Sequence, residues 1–275
     1  MINYQILTGV SEKNRYKTRI FSLFNHIFNK ELKESEWSHF FLNSPYENSL
    51  LILALSADKV VGIANLIPQK LNIGRKKYNY YLFITSAVLK SFRSEGVYME
   101  TIKIIKNILK NKEKDFIFAF PNKNAYPLLT ELFYFIPLKR KEIVNVNNFN
   151  LKELKPVDPE RSIFLDDQFV KWRFEHKHYF YIRHNGKCII YKGYKDSLDV
   201  IEIIESKYEN IISRFISIKN DINPYSVFNV LKNRLLSPGN KEYKVGTTVS
   251  PCYFSFDTNL DLSKLDISLL MSDVF

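Results

Sequence analysis

The chain of 275 residues is 45% hydrophobic, 15% aromatic and 25% charged, the balance of a folded protein, which excludes disordered, collagen-like and coiled-coil architectures. Its 40 Lys and Arg against 29 Asp and Glu leave a net charge of +11. An anionic partner is expected, whether nucleic acid, an acidic membrane surface or a phosphate-bearing small molecule, and charge alone does not choose among them.

In chain order, Ile2 to Leu7 reads as a short strand, followed by a helix capped at Ser11 whose Ile20, Phe21, Leu23, Phe24, Ile27 and Phe28 recur at helical spacing. Glu34 to Trp37 marks a second, short helix, stopped by Asn43, Ser44 and Pro45. Leu50 to Leu55 and Val60 to Ile67 read as a hairpin joined by a polar turn at 56–59. Tyr80 to Val88 is a further β-rich run. It leads directly into residues 91–98, and Met99 to Asn111 is then helical by period, with Ile102, Ile105 and Leu109 on one face. Phe116 to Phe120 is a short apolar strand of the kind buried inside a sheet, Ala125 to Phe133 resumes as helix, and Glu142 to Asn147 alternates like a last strand. The order predicts a mixed α/β (α+β) domain around a central sheet.

Residues 151–160 are polar with two prolines and form the best linker candidate, dividing the chain into units 1–150 and 151–275. Beyond it the chain restarts. Trp37-Ser-His-Phe is followed by Pro45-Tyr46 and a hairpin, and Trp172-Arg-Phe by Tyr179-Phe-Tyr181 and a second hairpin around His184-Asn185-Gly186, so a duplicated domain is expected. Cys188 and Cys252 are far apart and belong to no CxxC motif, which fits a reducing compartment and gives no zinc site or disulfide framework. The chain's start lacks a signal-peptide pattern and no apolar run reaches the ~18 residues of a membrane span, so a cytoplasmic location is expected.

One segment carries chemistry. Arg93, Ser94, Glu95, Gly96, Val97 and Tyr98 lie between a strand and a helix, where consecutive backbone N–H groups and a positive helix end suit a pyrophosphate. Gly96 permits a positive φ, and Arg93 adds charge-assisted hydrogen bonds. By itself the segment fits an ordinary turn equally well.

Its surroundings resemble the GNAT acetyltransferases, whose pattern is Arg or Gln, two residues, Gly, one residue, then Gly or Ala after the fourth strand, with the next strand leading to an Asn-containing helix. Arg93 and Gly96 match, and Phe116 through Asn122 to Ala125 fits the strand and the helix start. Trp37 through Pro45, Leu51 to Ala54 and Val60-Val61-Gly62 are similar to the branch with two such domains in one chain, as are Trp172-Arg-Phe and the tail ending Asp273-Val274-Phe275. The resemblance implies tandem GNAT-like domains, each a mixed sheet flanked by helices. It also implies an acyl-CoA-dependent N-acyltransferase with acetyl-CoA as co-substrate and no metal, acting on a primary amine of a small molecule. Backbone at Ser86, Ala87 and Val88 would hold the pantetheine arm, the loop Arg93 to Tyr98 the pyrophosphate, and Asn122 would contact the cofactor. A nucleotide-linked amino sugar of surface-polysaccharide biosynthesis is the preferred acceptor, by analogy with how two-domain members are employed.

Two positions depart from the pattern. Tyr98 stands where Gly or Ala is usual, and Leu129 where a Tyr often protonates the departing thiolate, leaving Tyr126 as the nearest substitute. The base that deprotonates the amine is sought at Glu36, His39 or Glu47, or, by resemblance to aminoglycoside-type enzymes, at Asp273 or the terminal carboxylate of Phe275. The second half has no glycine after Ser197 to Glu205, so it is expected to shape the acceptor pocket and bind no CoA. His176 and His178 alternate like ligands on one strand face but lack a third partner. Three alternatives remain: a Fem-like transferase using aminoacyl-tRNA, a non-enzymatic nucleic-acid module and a degenerate scaffold. Lys and Arg are scattered, with 74–77 and 138–142 the densest clusters, so no nucleic-acid partner is expected. The sequence leaves the oligomeric state open.

Overall fold

The computed structural model describes residues 1–29, 31–111, 114–146, 152, 154–156, 158–162, 165–175, 179–194, 197–219, 227–231, 235, 244–263 and 265–267. The first half runs β1 (Ile2–Leu7), α1 (Val10–Phe28), α2 (Glu34–Trp37) continued by a π-helical turn Ser38–Leu42, then β2 (Leu50–Ser56), β3 (Lys59–Ile73), β4 (Lys76–Val88), α3 (Val97–Asn111) and β5 (Phe116–Ala119). It goes on through α4 (Ala125–Pro127), continued by a second π-helical turn Leu128–Leu132, to β6 (Ile136–Pro137) and β7 (Lys141–Val146). The second half supplies α5 (Asp167–Glu175), β8 (Tyr179–His184), β9 (Lys187–Tyr194), β10 (Ser197–Glu205), α6 (Glu209–Ile212), β11 (Ser217–Ile218), β12 (Val227–Leu231), β13 (Lys244–Val249) and β14 (Cys252–Phe254).

Two seven-stranded sheets result, ordered β1-β2-β3-β4-β5-β14-β6 and β11-β8-β9-β10-β12-β7-β13. Each has the same plan. An antiparallel meander (β2-β3-β4, or β8-β9-β10) is followed by one parallel strand, β5 on β4 or β12 on β10, and then by a strand borrowed from the other half. In the first sheet that strand is β14, antiparallel to β5; in the second it is β7, antiparallel to β12. The segment read from sequence as the last strand of the first unit therefore pairs in the second sheet, and the sheets interlock across residue 150.

Burial explains the strands. β2 is buried from Leu50 to Leu55 and β3 from Val60 to Gln69, because helices cover one face and a helix or the other sheet the opposite face. β3 and β4 continue past Ile67 and before Tyr80 as a long hairpin, turning at Gly74 (φ +62°), since Ile67, Leu71 and Tyr80 enter a core shared with Phe169, Trp172 and Ile190 of the second half. The hairpin is clamped by backbone bonds from Asn72 N–H to Ser162 O and Gly74 N–H to Glu160 O. On α3, Ile102, Ile105 and Leu109 are all buried, as their period predicts. The cap of α1 is Gly9 rather than Ser11: the Glu12 carboxylate folds back to accept the N–H groups of Gly9 at 2.9 Å and Thr8 at 3.2 Å.

Lys13 fixes α1 to the turn after α2. Its fully buried ammonium donates to Phe41 O at 2.9 Å, Ser49 O at 2.6 Å and Ser49 Oγ at 2.9 Å, and burial pulls its pKa down to about 8. The sign for stability follows from proton counting. Between about pH 8 and the ordinary lysine pKa of 10.5 the unfolded chain holds a proton that the folded chain has released, so stability from this group rises with pH across that window. Wild type should therefore gain on Lys13→Met between pH 8 and 10.5 in denaturant titrations, and a pH-independent difference would contradict this burial.

Candidate active site

The decisive irregularity lies at the end of β4. Its parallel pairing with β5 stops at Phe83 and Ala119, while on the other edge it stays paired with β3 through Ala87 and Val88. Between those limits the β3–β4 register slips, and Thr85 takes φ +53°. A β-branched residue in the left-handed region costs of order 1–3 kcal/mol, and such strain concentrates at functional sites. The bulge turns the end of β4 away from β5, and β5 itself leaves the sheet through Phe120, Pro121 and Asn122. Among the described residues, Ser86, Ala87 and Val88 have no strand partner on the β5 side.

The loop beyond continues the construction. Lys90–Glu95 forms a 3-10 turn, Gly96 adopts φ +72° and α3 starts at Val97, its helical bonding opened by Glu100 N–H to Gly96 O. The first N–H groups of a helix have no acceptor within it and carry its positive end. Arg93, exposed, donates from Nε to Val88 O at 3.2 Å and so ties the turn to the strand end. Val97 is fully buried against Gly62, where an added Cβ would come within 2.9 Å of its Cγ1, so helix and sheet meet closely here. Ser94 and Glu95 are exposed on the turn.

Asn122 accepts from the N–H groups of Asn124 and Ala125 at 3.0 Å each, capping α4 with its carbonyl oxygen and keeping its NH₂ as a donor. Tyr98 packs edge-on against Phe133 at 6.4 Å. Burial pushes its phenol up to about 12, partly offset by its interaction with Ser86, so it stays protonated at neutral pH.

Thr85, Ser86, Tyr98 and Asn122 open onto one cavity of about 1000 Å³. Thr85, Ser86, Tyr98, Asn122 and Leu129 line a notch beside the end of β4; Phe24, Phe28, Leu32, Glu36 and Phe40 line the α1–α2 side; Lys192, Thr248 and Val249 come from the second sheet. The core on the α1–α2 face contains Trp37 and Phe41, and that on the α3–α4 face contains Ile105 and Leu129. The cavity is therefore lined from both faces of the first sheet.

No protein-family model matches the chain, and no curated protein matches it in sequence. Solved structures do. A conserved protein of unknown function from Enterococcus faecalis V583 aligns at 10% identity and TM-score 0.62, covering 93% of this chain and 73% of its own. Eis1 from Mycobacterium abscessus aligns at 9% identity and TM-score 0.56 with the same coverages, and a GCN5-related N-acetyltransferase from Kribbella flavida at 8% and 0.57, covering 93% and 72%. The chain has the tandem GNAT fold.

Within that GNAT fold the site residues expected from sequence separate into two groups. Ser86, Tyr98 and Asn122 line the cavity, whereas Ala87 and Val88 end β4 and Arg93 to Val97 follow it without lining the cavity. Tyr126 does not line the cavity; its ring lies 5.9 Å beneath the Arg140 guanidinium. His39 is buried elsewhere, its imidazole stacked on Trp172 with centroids 4.6 Å apart, whereas Glu36 faces the cavity and accepts the Lys33 N–H at 3.0 Å. Glu47 pairs with Lys114. Asp273, Phe275, His176 and His178 lie outside the described residues. Among the described residues no group of three or more His, Cys, Asp or Glu could hold a metal ion, and no helix is long and apolar enough to cross a membrane. Lys192, Thr248 and Thr85 carry no motif that sequence reasoning could have used. Tyr98 was legible only as a misfit to the GNAT loop pattern.

Proposed function

We propose that the chain is an acyl-CoA-dependent N-acyltransferase, transferring acetyl from acetyl-CoA to the primary amine of a small molecule. The observation that supports this most is the notch: strained Thr85 frees the β4 backbone directly before a glycine-turned helix N-terminus. An extended pantetheine arm fits there as a substitute strand along Ser86 to Val88, and the pyrophosphate fits the N–H groups after Gly96 with Arg93 alongside. Acetyl-CoA supplies an activated thioester, and the chain's own groups supply position and proton transfer. Glu36 takes the proton that an ammonium acceptor must lose. Tyr98, neutral and inside the cavity, is the phenolic donor for the departing sulfur, the role that Leu129 cannot fill.

The second half, on this reading, shapes the acceptor side and binds no CoA. Its equivalent bulge, between Val200 and Glu202 on β10, stands among the buried charged side chains of Arg173, Lys192, Asp199 and Glu202, of which Lys192 and Asp199 form a 3.8 Å ion pair. Such a cluster places charge beside the equivalent bulge, which supports this reading. The buried free thiols of Cys188 and Cys252 accord with a cytoplasmic setting.

Release of free CoA thiol from acetyl-CoA in the presence of a panel of primary amines tests the proposal. Amine-dependent turnover is expected, and a chain that releases no thiol with any amine would contradict it. Tyr98→Phe should lower kcat by about 10²-fold while the acetyl-CoA KM stays within a factor of two. Because the Tyr98 phenol titrates only near 12, the wild-type rate should show no alkaline fall below pH 10 from loss of this acid.

A further inference from the structure

The acceptor side of the cavity is apolar in a way that narrows the amine. Phe24, Phe28, Leu32 and Phe40 form its α1–α2 wall, and Phe24 is braced by Phe28 at 5.3 Å and by Phe41 at 6.0 Å. Phe28 is 49% exposed at the cavity edge, and with the half-buried Phe24 and Phe40 and the buried Leu32 it gives this side a continuous apolar lining. A polyhydroxylated acceptor surrenders water at each hydroxyl and needs a convergent donor or acceptor for every one. Among the described residues, the only carboxylate on this wall is Glu36.

Charge points the same way. Lys123 and Lys192 both line the cavity, and Lys192 is only 7% exposed, so its field is poorly screened by solvent. Its buried Asp199 partner, 3.8 Å away, offsets part of that charge, but Asp199 does not line the cavity, whereas the Lys192 side chain does. One ammonium can sit at Glu36. A second one on the same molecule meets two lysines.

We propose that the acceptor is a primary monoamine borne on an apolar aromatic or alkyl body, and not an amino sugar or a polycationic amine. The proposal rests on the acyl-transfer reading for its chemistry, but the amine pocket can be read by binding alone. Calorimetric binding and CoA-release rates are measured on the full chain with phenethylamine, octylamine, glucosamine and kanamycin, for wild type, Phe28→Ala and Lys192→Met. Phenethylamine and octylamine should bind at least 100-fold more tightly than glucosamine or kanamycin. Phe28→Ala, at an exposed position that does not threaten folding, should weaken phenethylamine at least tenfold, with acetyl-CoA affinity unchanged. Lys192→Met should narrow the gap to kanamycin. Glucosamine or kanamycin binding as tightly as phenethylamine, or an unchanged Phe28→Ala, overturns the proposal even if acetyl transfer occurs. Tight, Phe28-dependent phenethylamine binding without any CoA release upholds the pocket assignment and overturns the acyl-transfer reading instead.

Discussion

Replacing Gly96 with Val should abolish the stabilisation that acetyl-CoA confers on the chain. Gly96 sits at φ +72°, and a Cβ built there meets no atom within 4 Å, so the obstacle is conformational and not steric. A β-branched residue at that φ costs more than the 1–2 kcal/mol of an ordinary side chain, and the loop escapes by leaving the left-handed region. That movement rotates the first turn of α3 away from the end of β4, taking the unpaired N–H groups with it. At about 100 times the dissociation constant, a ligand stabilises the folded state by about 2.7 kcal/mol, a rise in Tm of roughly 6 °C for a protein of this size. Wild type should show that rise and Gly96→Val should show none, while Gly96→Ala keeps part of it. Arg93→Ala, which loses both its charge and the bond to Val88 O, should fall between. An equal thermal shift in wild type and Gly96→Val would remove the loop from the cofactor site.

Trp172→Ala should produce the largest loss of stability, about 3–5 kcal/mol, read as a lowered denaturant midpoint. The indole is buried in the core shared by the two halves, stacks on His39, and donates to His39 O at 3.3 Å and Asn43 O at 3.2 Å. Truncation leaves a cavity and two carbonyls without that donor. Those carbonyls flank the turn that carries Phe40, so the variant should also raise the KM for an amine acceptor while leaving the acetyl-CoA KM nearly unchanged. A loss under 1 kcal/mol would show that the halves are held together elsewhere. The companion tryptophan acts within its own half: Trp37 stacks on Phe41 at 4.9 Å and donates to Asn14 Oδ1 at 3.1 Å. The two similar sequence runs thus differ in place, Trp37 ending α2 and Trp172 lying within α5, and in what they hold together.

Local order was legible in the residues. β1 spans the segment read as a strand, α3 buries the face that its period predicts, and Gly96 takes the positive φ that its place in the loop called for. What escaped was set by distant partners. The exchange of β7 and β14 between sheets depends on pairings more than 100 residues away for β14 and β5, which no local pattern encodes. Thr85 reads as an ordinary strand residue, and its bulge shows only in the pairing, where the β3–β4 register shifts just beyond the last β4–β5 pair. His39 looked like a base by residue type, yet Trp172 buries it; Glu36, three residues earlier, is the one that faces the cavity. Most of the net charge of +11 lies on scattered lysines and arginines, with Arg93 the one that the proposed reaction uses.

The central claim is a single acyl-CoA site built by the first sheet's notch and the Gly96 loop. Calorimetric titration of the full chain with acetyl-CoA tests it most directly. One molecule bound per chain in wild type, with no measurable binding to Gly96→Val, is the predicted result; absence of binding in wild type, or two molecules bound per chain, would contradict it.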